Sequence, residues 1–90
     1  MANFVFFYAM LTSDQIRAAR ALLRWSAERL ASESGVSWKT IQRMEAADGV
    51  PASSVRNMLK IRKTIESAGV EFIDQNGGGP GVRLKDRMAD

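Results

Sequence analysis

The sequence predicts a mainly α domain: a bundle of four to five short helices with a small C-terminal β-hairpin, which an N-terminal strand can join. Three observations predict it. From Thr12 to Ser67 apolar residues recur at helical spacing, and the periodic stretches open on Thr or Ser, residues that cap helix starts. Gly35-Val36-Ser37 separates two of these stretches, too short a break for anything but a tight re-aiming of the chain. After Gly69 the pattern changes, and Val70 to Ile73 and Val82 to Leu84 read as strands around a glycine-rich connection.

The elements follow in order. Residues 1–11 form an extended N-terminal segment. Phe4 to Tyr8 are all apolar strand formers, and such a strand needs cover on both faces. It pairs with the C-terminal strands or with a second subunit, or else it is a leader ahead of a start at Met10. Residues 12–68 form the helical domain. Thr12 and Gln15 make a capping box for a helix from Ser13 to Leu23, whose buried stripe is Ile16, Ala19, Leu22 and Leu23. Ser26 caps a second helix that buries Leu30 and Ala31 and stops at Gly35. Ser37 caps a third, Trp38 to Ala46, burying Ile41 and Met44. Past Gly49 and Pro51, Ser53 or Ser54 caps a longer helix to Ser67, with Val55, Met58, Ile61 and Ile65 inward and Gly69 as its stop. Residues 69–90 are the C-terminal hairpin and dimerisation tail. Trp25, between the first two helices, reads as core or as a staple.

Composition narrows the function. The 90 residues suffice for one small domain, and domains of this size often gain stability by pairing. The chain contains neither cysteine nor histidine, which removes disulfides, thiolate metal sites and the commonest general base. No carboxylate pair suggests acid–base work, so an enzyme is not expected, nor is a metal or other cofactor. The run Gly77 to Gly81 lacks the Lys-Ser/Thr and the helix start that a phosphate-binding loop needs. The longest apolar run, Phe4 to Leu11, falls far short of the roughly 20 residues that span a bilayer, and no basic residue precedes it. A cytoplasmic protein without membrane contact is expected. Net charge is +3, unevenly spread: residues 1–63 carry ten Lys and Arg against five Asp and Glu, residues 64–90 three against five. The excess cations accompany the helical domain, as a phosphate-binding surface requires.

The segment from Ser26 to Glu45 carries the functional signal. A helix, a glycine turn, a buried valine, a serine cap and a second short helix are the parts of a helix-turn-helix. The second helix presents Trp38, Lys39, Gln42 and Arg43, candidates for reading base edges in a major groove. Arg43 offers a fork for guanine, Gln42 an amide for adenine, and Lys39 a cation for guanine or phosphate. Candidate phosphate contacts are Ser37, Thr40, Ser53, Ser54, Arg56, Arg17 and Arg24, with Lys60 and Lys63 behind them. The double-stranded operator is expected to be an inverted repeat bound by a homodimer. Its subunit contact is expected to use Leu59, which falls off the core stripe of its helix, and the hairpin residues Val70, Phe72, Val82 and Leu84.

Residues Thr12 to Ile65 resemble the phage-repressor-type (Cro/XRE) DNA-binding domain, a lambda-repressor-like bundle. The likeness rests on Ile16-Arg17 and Arg20, Leu30-Ala31, Gly35-Val36-Ser37, Thr40-Ile41 and Met44-Glu45 at the family's spacing. The tail GVEFIDQNGGGPGVRL is also similar to the ending of short bacterial regulators of this type. The resemblance implies that Ser37 caps the recognition helix and touches phosphate. It implies that Trp38, Lys39 and Arg43 read bases, and that Arg20 and Glu45 form a structural ion pair. Ala27 departs from the pattern, standing where many members carry a glutamine that clamps a phosphate or a base. A bacterial transcription regulator, a repressor controlling its own synthesis or a mobile element, is the expectation. The alternative is a protein-binding module of the same fold, an antitoxin or anti-activator, with DNA contact secondary.

Overall fold

The computed structural model describes residues 8–86 of the chain. Helices α1 (Ser13–Leu23), α2 (Ala27–Ser34), α3 (Trp38–Ala46) and α4 (Val55–Ser67) precede strands β1 (Val70–Ile73) and β2 (Gly81–Leu84). Each helix starts where its cap residue dictates. The side-chain oxygens of Thr12, Ser26, Ser37 and Ser54 accept the N–H groups of Gln15, Arg29, Thr40 and Asn57, satisfying donors that a helix start leaves orphaned. At α1 both halves of the capping box form. Of the two serines before α4, Ser54 is the cap.

α1 packs against α3 and both strands, α2 against α3 and α4, and α4 against β1. At the centre lie Ile16, Leu30, Ile41, Ile61, Ile65 and Val70, all fully buried. The strands pair antiparallel, Val70 opposite Leu84 and Phe72 opposite Val82. The end of α3 is tied back to the start of α1: Ser13 donates from its N–H to Gly49 O (2.8 Å) and from its hydroxyl to Met44 O (2.7 Å).

Two expectations about helix and strand fail. Leu22 is 40% exposed rather than buried. At roughly 100° per residue Leu22 lies about 120° from Ile16, in line with Gln15; the hairpin covers Gln15, whose amide meets Ile73 O and Gly81 O, whereas Leu22 stands two turns further on near the end of α1. Tyr8 and Ala9 are helical, not extended. Ala9 is buried in the core, and tertiary contact there overrides local strand preference. Phe4 to Phe7 lie outside the described residues. Trp25 is half-buried against the core, with the Arg29 guanidinium 4.8 Å from its ring centre. Among the described residues no helix is long and apolar enough to cross a membrane.

A candidate nucleic-acid interface on the third helix

The turn between α2 and α3 is built by three consecutive residues. Gly35 takes φ 77°, a conformation that side chains oppose, and donates its N–H to Ala31 O at 3.0 Å, closing α2. Val36 is driven into the core at 3% exposure. Ser37 then caps α3. It accepts the Thr40 N–H at 3.1 Å and donates its hydroxyl to Thr40 Oγ1 at 2.9 Å. Thr40 Oγ1 thereby accepts one bond and keeps its own proton to give.

α3 is divided into two faces. Ile41, Met44 and Glu45 turn inward; Trp38, Lys39, Gln42 and Arg43 turn to solvent, Trp38 at 44% exposure. Lys39, Gln42 and Arg43 stand at i, i+3 and i+4, neighbours on one helical surface. The inward face is locked electrostatically as well as by packing. Glu45 receives two hydrogen bonds from Arg20 of α1, whose guanidinium also donates to Trp25 O at 2.9 Å. These bonds raise the Arg20 pKa above its ordinary value against the opposing effect of burial, so the guanidinium stays charged.

Ion pairing sorts the cations. Arg17, Arg20, Arg29, Arg62 and Arg83 are paired with carboxylates. Within the described residues Arg24, Lys39, Arg43, Arg56, Lys60, Lys63 and Lys85 make no ion pair, and all seven are exposed; Lys85 Nζ donates to Glu66 O. The uncommitted positive charge therefore lies mainly on α3 and α4. Ser54 and Arg56 stand at the start of α4, where backbone N–H groups and the helix dipole favour an anion.

Three sets of expected contacts need correction. The Ser53 hydroxyl is buried and meets no hydrogen-bond partner, because Ser54 has taken the cap and Ser53 turns inward; it does not face a phosphate. Arg17 has its guanidinium engaged by Glu45 O and by the Asp14 carboxylate, which leaves it less free than Arg24. Of the five residues expected at a subunit contact, Val70 and Phe72 are buried in the protomer's own core, and Leu59 packs half-buried against it. The hairpin folds onto its own α1 and α4, which uses up β1. Val82 is half-buried, and Leu84 alone of the five is exposed, at 45%.

Two features of the fold were not anticipated. Gln15 donates from its amide to Ile73 O (3.3 Å) and Gly81 O (3.1 Å), joining the cap of α1 to the mouth of the hairpin. Arg62, 7% exposed, lies over the Tyr8 ring at 4.0 Å and the Phe72 ring at 5.3 Å; Glu66 pairs with it and also accepts the Tyr8 hydroxyl. The apolar spacing around Arg62 gives no warning of its burial. No protein-family model matches the chain, and no curated protein matches it in sequence.

Proposed function

We propose that this chain is a sequence-specific double-stranded DNA-binding transcription regulator of the Cro/XRE helix-turn-helix type. α3 would be the recognition helix and Lys39, Gln42 and Arg43 the base readers. The observation that carries this reading is the division of α3. One face is fixed by the core and by the Arg20–Glu45 pair, and the other offers two uncommitted cations and an amide to solvent. A helix held rigidly with such a face suits a major groove, whose base edges present matching acceptors and donors. Trp38 adds an apolar surface able to meet a thymine methyl group. The α3 N–H groups, the Thr40 hydroxyl, Ser54 and Arg56 supply phosphate contacts.

The regulator works as a homodimer on an inverted repeat, with half-sites about 34 Å apart, one helical turn of DNA. Acting on DNA, it belongs in the cytoplasm of a bacterium. It responds through its own concentration or a protein partner. Selection of bound fragments from random duplexes, repeated at two salt concentrations, tests the reading. A palindromic consensus is expected. Binding that collapses with salt and yields no consensus would mean backbone contact without base reading, and would overturn it.

A further inference from the structure

The connection from α3 to α4 borders a cavity of about 230 Å³. Ala9, Pro51 and Met58 form its buried floor, Val50 stands exposed at its rim, and Met10 and Val55 lie half-buried in its wall. The connection is held in place at Gly49, whose carbonyl accepts the N–H of Ser13 at 2.8 Å and its hydroxyl at 3.1 Å. Among the described residues no charged side chain lines the cavity, and one polar side chain does, Ser53. Its hydroxyl is shut off from water and meets no hydrogen-bond partner. Such a group is costly, and native folds keep few of them. Water is a poor filler for this space. An ordered water needs about two to four polar partners, and the side chains of the wall offer a single hydroxyl.

We propose that this cavity is a binding site for a small neutral molecule, mostly apolar and carrying one hydroxyl or carbonyl oxygen. A wholly apolar cavity of about 150 Å³ takes up benzene, so this one has room for about seven to ten non-hydrogen atoms. The apolar body of the occupant lies on Ala9, Pro51 and Met58. Its oxygen meets Ser53, whose hydroxyl turns from its present position into the cavity by one step between staggered rotamers. Met10 and Met58 are unbranched and shape themselves to the occupant. A charged ligand is excluded, because no side chain of the wall would neutralise it once it left water. The site stands apart from Lys39, Gln42 and Arg43, and the inference goes beyond the proposed function without depending on it.

Phenol and toluene, which share size and shape and differ in the oxygen, are the probes. The full chain, isotope-labelled at its methionine methyls, is titrated with each to a few millimolar and followed by NMR. Both are expected to shift Met10 and Met58 in a saturable way, with Kd in the millimolar range, while Met44, outside the wall, stays still. Ser53→Ala should lower the ratio of phenol to toluene affinity about fivefold, the worth of one neutral hydrogen bond. It should not lower the melting temperature, since it removes an orphaned hydroxyl. Val55→Phe fills the space from its wall and should abolish binding of both probes. If Val55→Phe fails to fold, Ser53→Ala decides alone. No saturable shift at Met10 and Met58, or an affinity ratio indifferent to Ser53→Ala, overturns the proposal. So do contacts in the unliganded chain from these two methyls to the rings of Phe4, Phe6 or Phe7, which would make the chain's own N-terminal segment the occupant.

Discussion

Arg20 and Glu45 meet fork to fork: Nε and Nη2 of the guanidinium donate to separate carboxylate oxygens, each at 2.8 Å. The pair joins α1 to α3 with the Glu45 side chain 10% and the Arg20 side chain 23% exposed. Removing one partner strands the other in a poorly hydrated place. Glu45→Ala should therefore destabilise the fold by about 3 kcal/mol, the lower end of the range for a broken buried pair because Arg20 keeps some water. Denaturant unfolding measures the loss. The selected DNA consensus should stay the same, since Glu45 points away from the exposed face; an unchanged midpoint with an altered consensus would contradict the structural assignment.

Arg43 and Arg56 are both exposed and free of ion pairs, yet the proposed function gives them different work. Arg43→Ala should cost about 1–3 kcal/mol of discrimination at one base pair per half-site and relax the consensus there. Arg56→Ala should weaken all sequences alike and lower the slope of log affinity against log salt by about 1. Neither should move stability by more than about 0.5 kcal/mol. Binding titrations on consensus and single-substitution duplexes at several salt concentrations separate the two.

Caps, turn and period were legible in the sequence because each is a local property. Thr12, Ser26, Ser37 and Gly35 act on neighbours within four residues, and the helices begin and end where those residues place them. Arg20 and Glu45 were readable through resemblance. What stayed hidden depends on how elements meet. Val70 and Phe72 look like any apolar strand residues until the hairpin is seen lying on α1 and α4. Ser53 and Ser54 are equivalent as letters; only the approach of the chain into α4 turns one outward and the other in. Arg62 is invisible in the same way, since a basic residue in an amphipathic helix reads as surface until Tyr8 and Phe72 close over it.

Gln15 shows the same limit and offers a sharp test. Its Oε1 accepts the Thr12 N–H at 2.9 Å, the half of its role that the capping box predicts, while its amide nitrogen serves two hairpin carbonyls. Gln15→Glu keeps the shape and the capping acceptor but turns an oxygen toward Ile73 O and Gly81 O. At neutral pH this should cost about 3 kcal/mol, because a buried charge faces acceptors with no proton to share. The new carboxyl is held above its unfolded value by that environment. The variant's deficit should be smallest below the unfolded glutamate value of about 4.3 and grow as pH rises through the folded one. Unfolding free energies of both proteins across this range provide the check; a difference independent of pH would count against the two carbonyl contacts.

Tyr8 reports on the seating of the first described residues against α4. Its hydroxyl donates to Glu66 Oε1 at 2.9 Å, and its carbonyl accepts from Arg62. The bond to Glu66 is the main cause that raises the phenol pKa above its ordinary value; burial and the Glu66 charge add to it and Arg62 opposes it. A raised folded pKa means that the contact contributes fully below the unfolded value of about 10 and is lost as pH rises through the folded one. Tyr8 is the chain's single tyrosine, so ultraviolet titration of tyrosinate reads this residue alone. The transition is expected above the ordinary phenol value, and Glu66→Gln should bring it down, since the carboxylate that holds the proton is gone while Arg62 still favours the phenolate. A transition at the ordinary value, unmoved by Glu66→Gln, would mean that Tyr8 does not rest on α4 in solution.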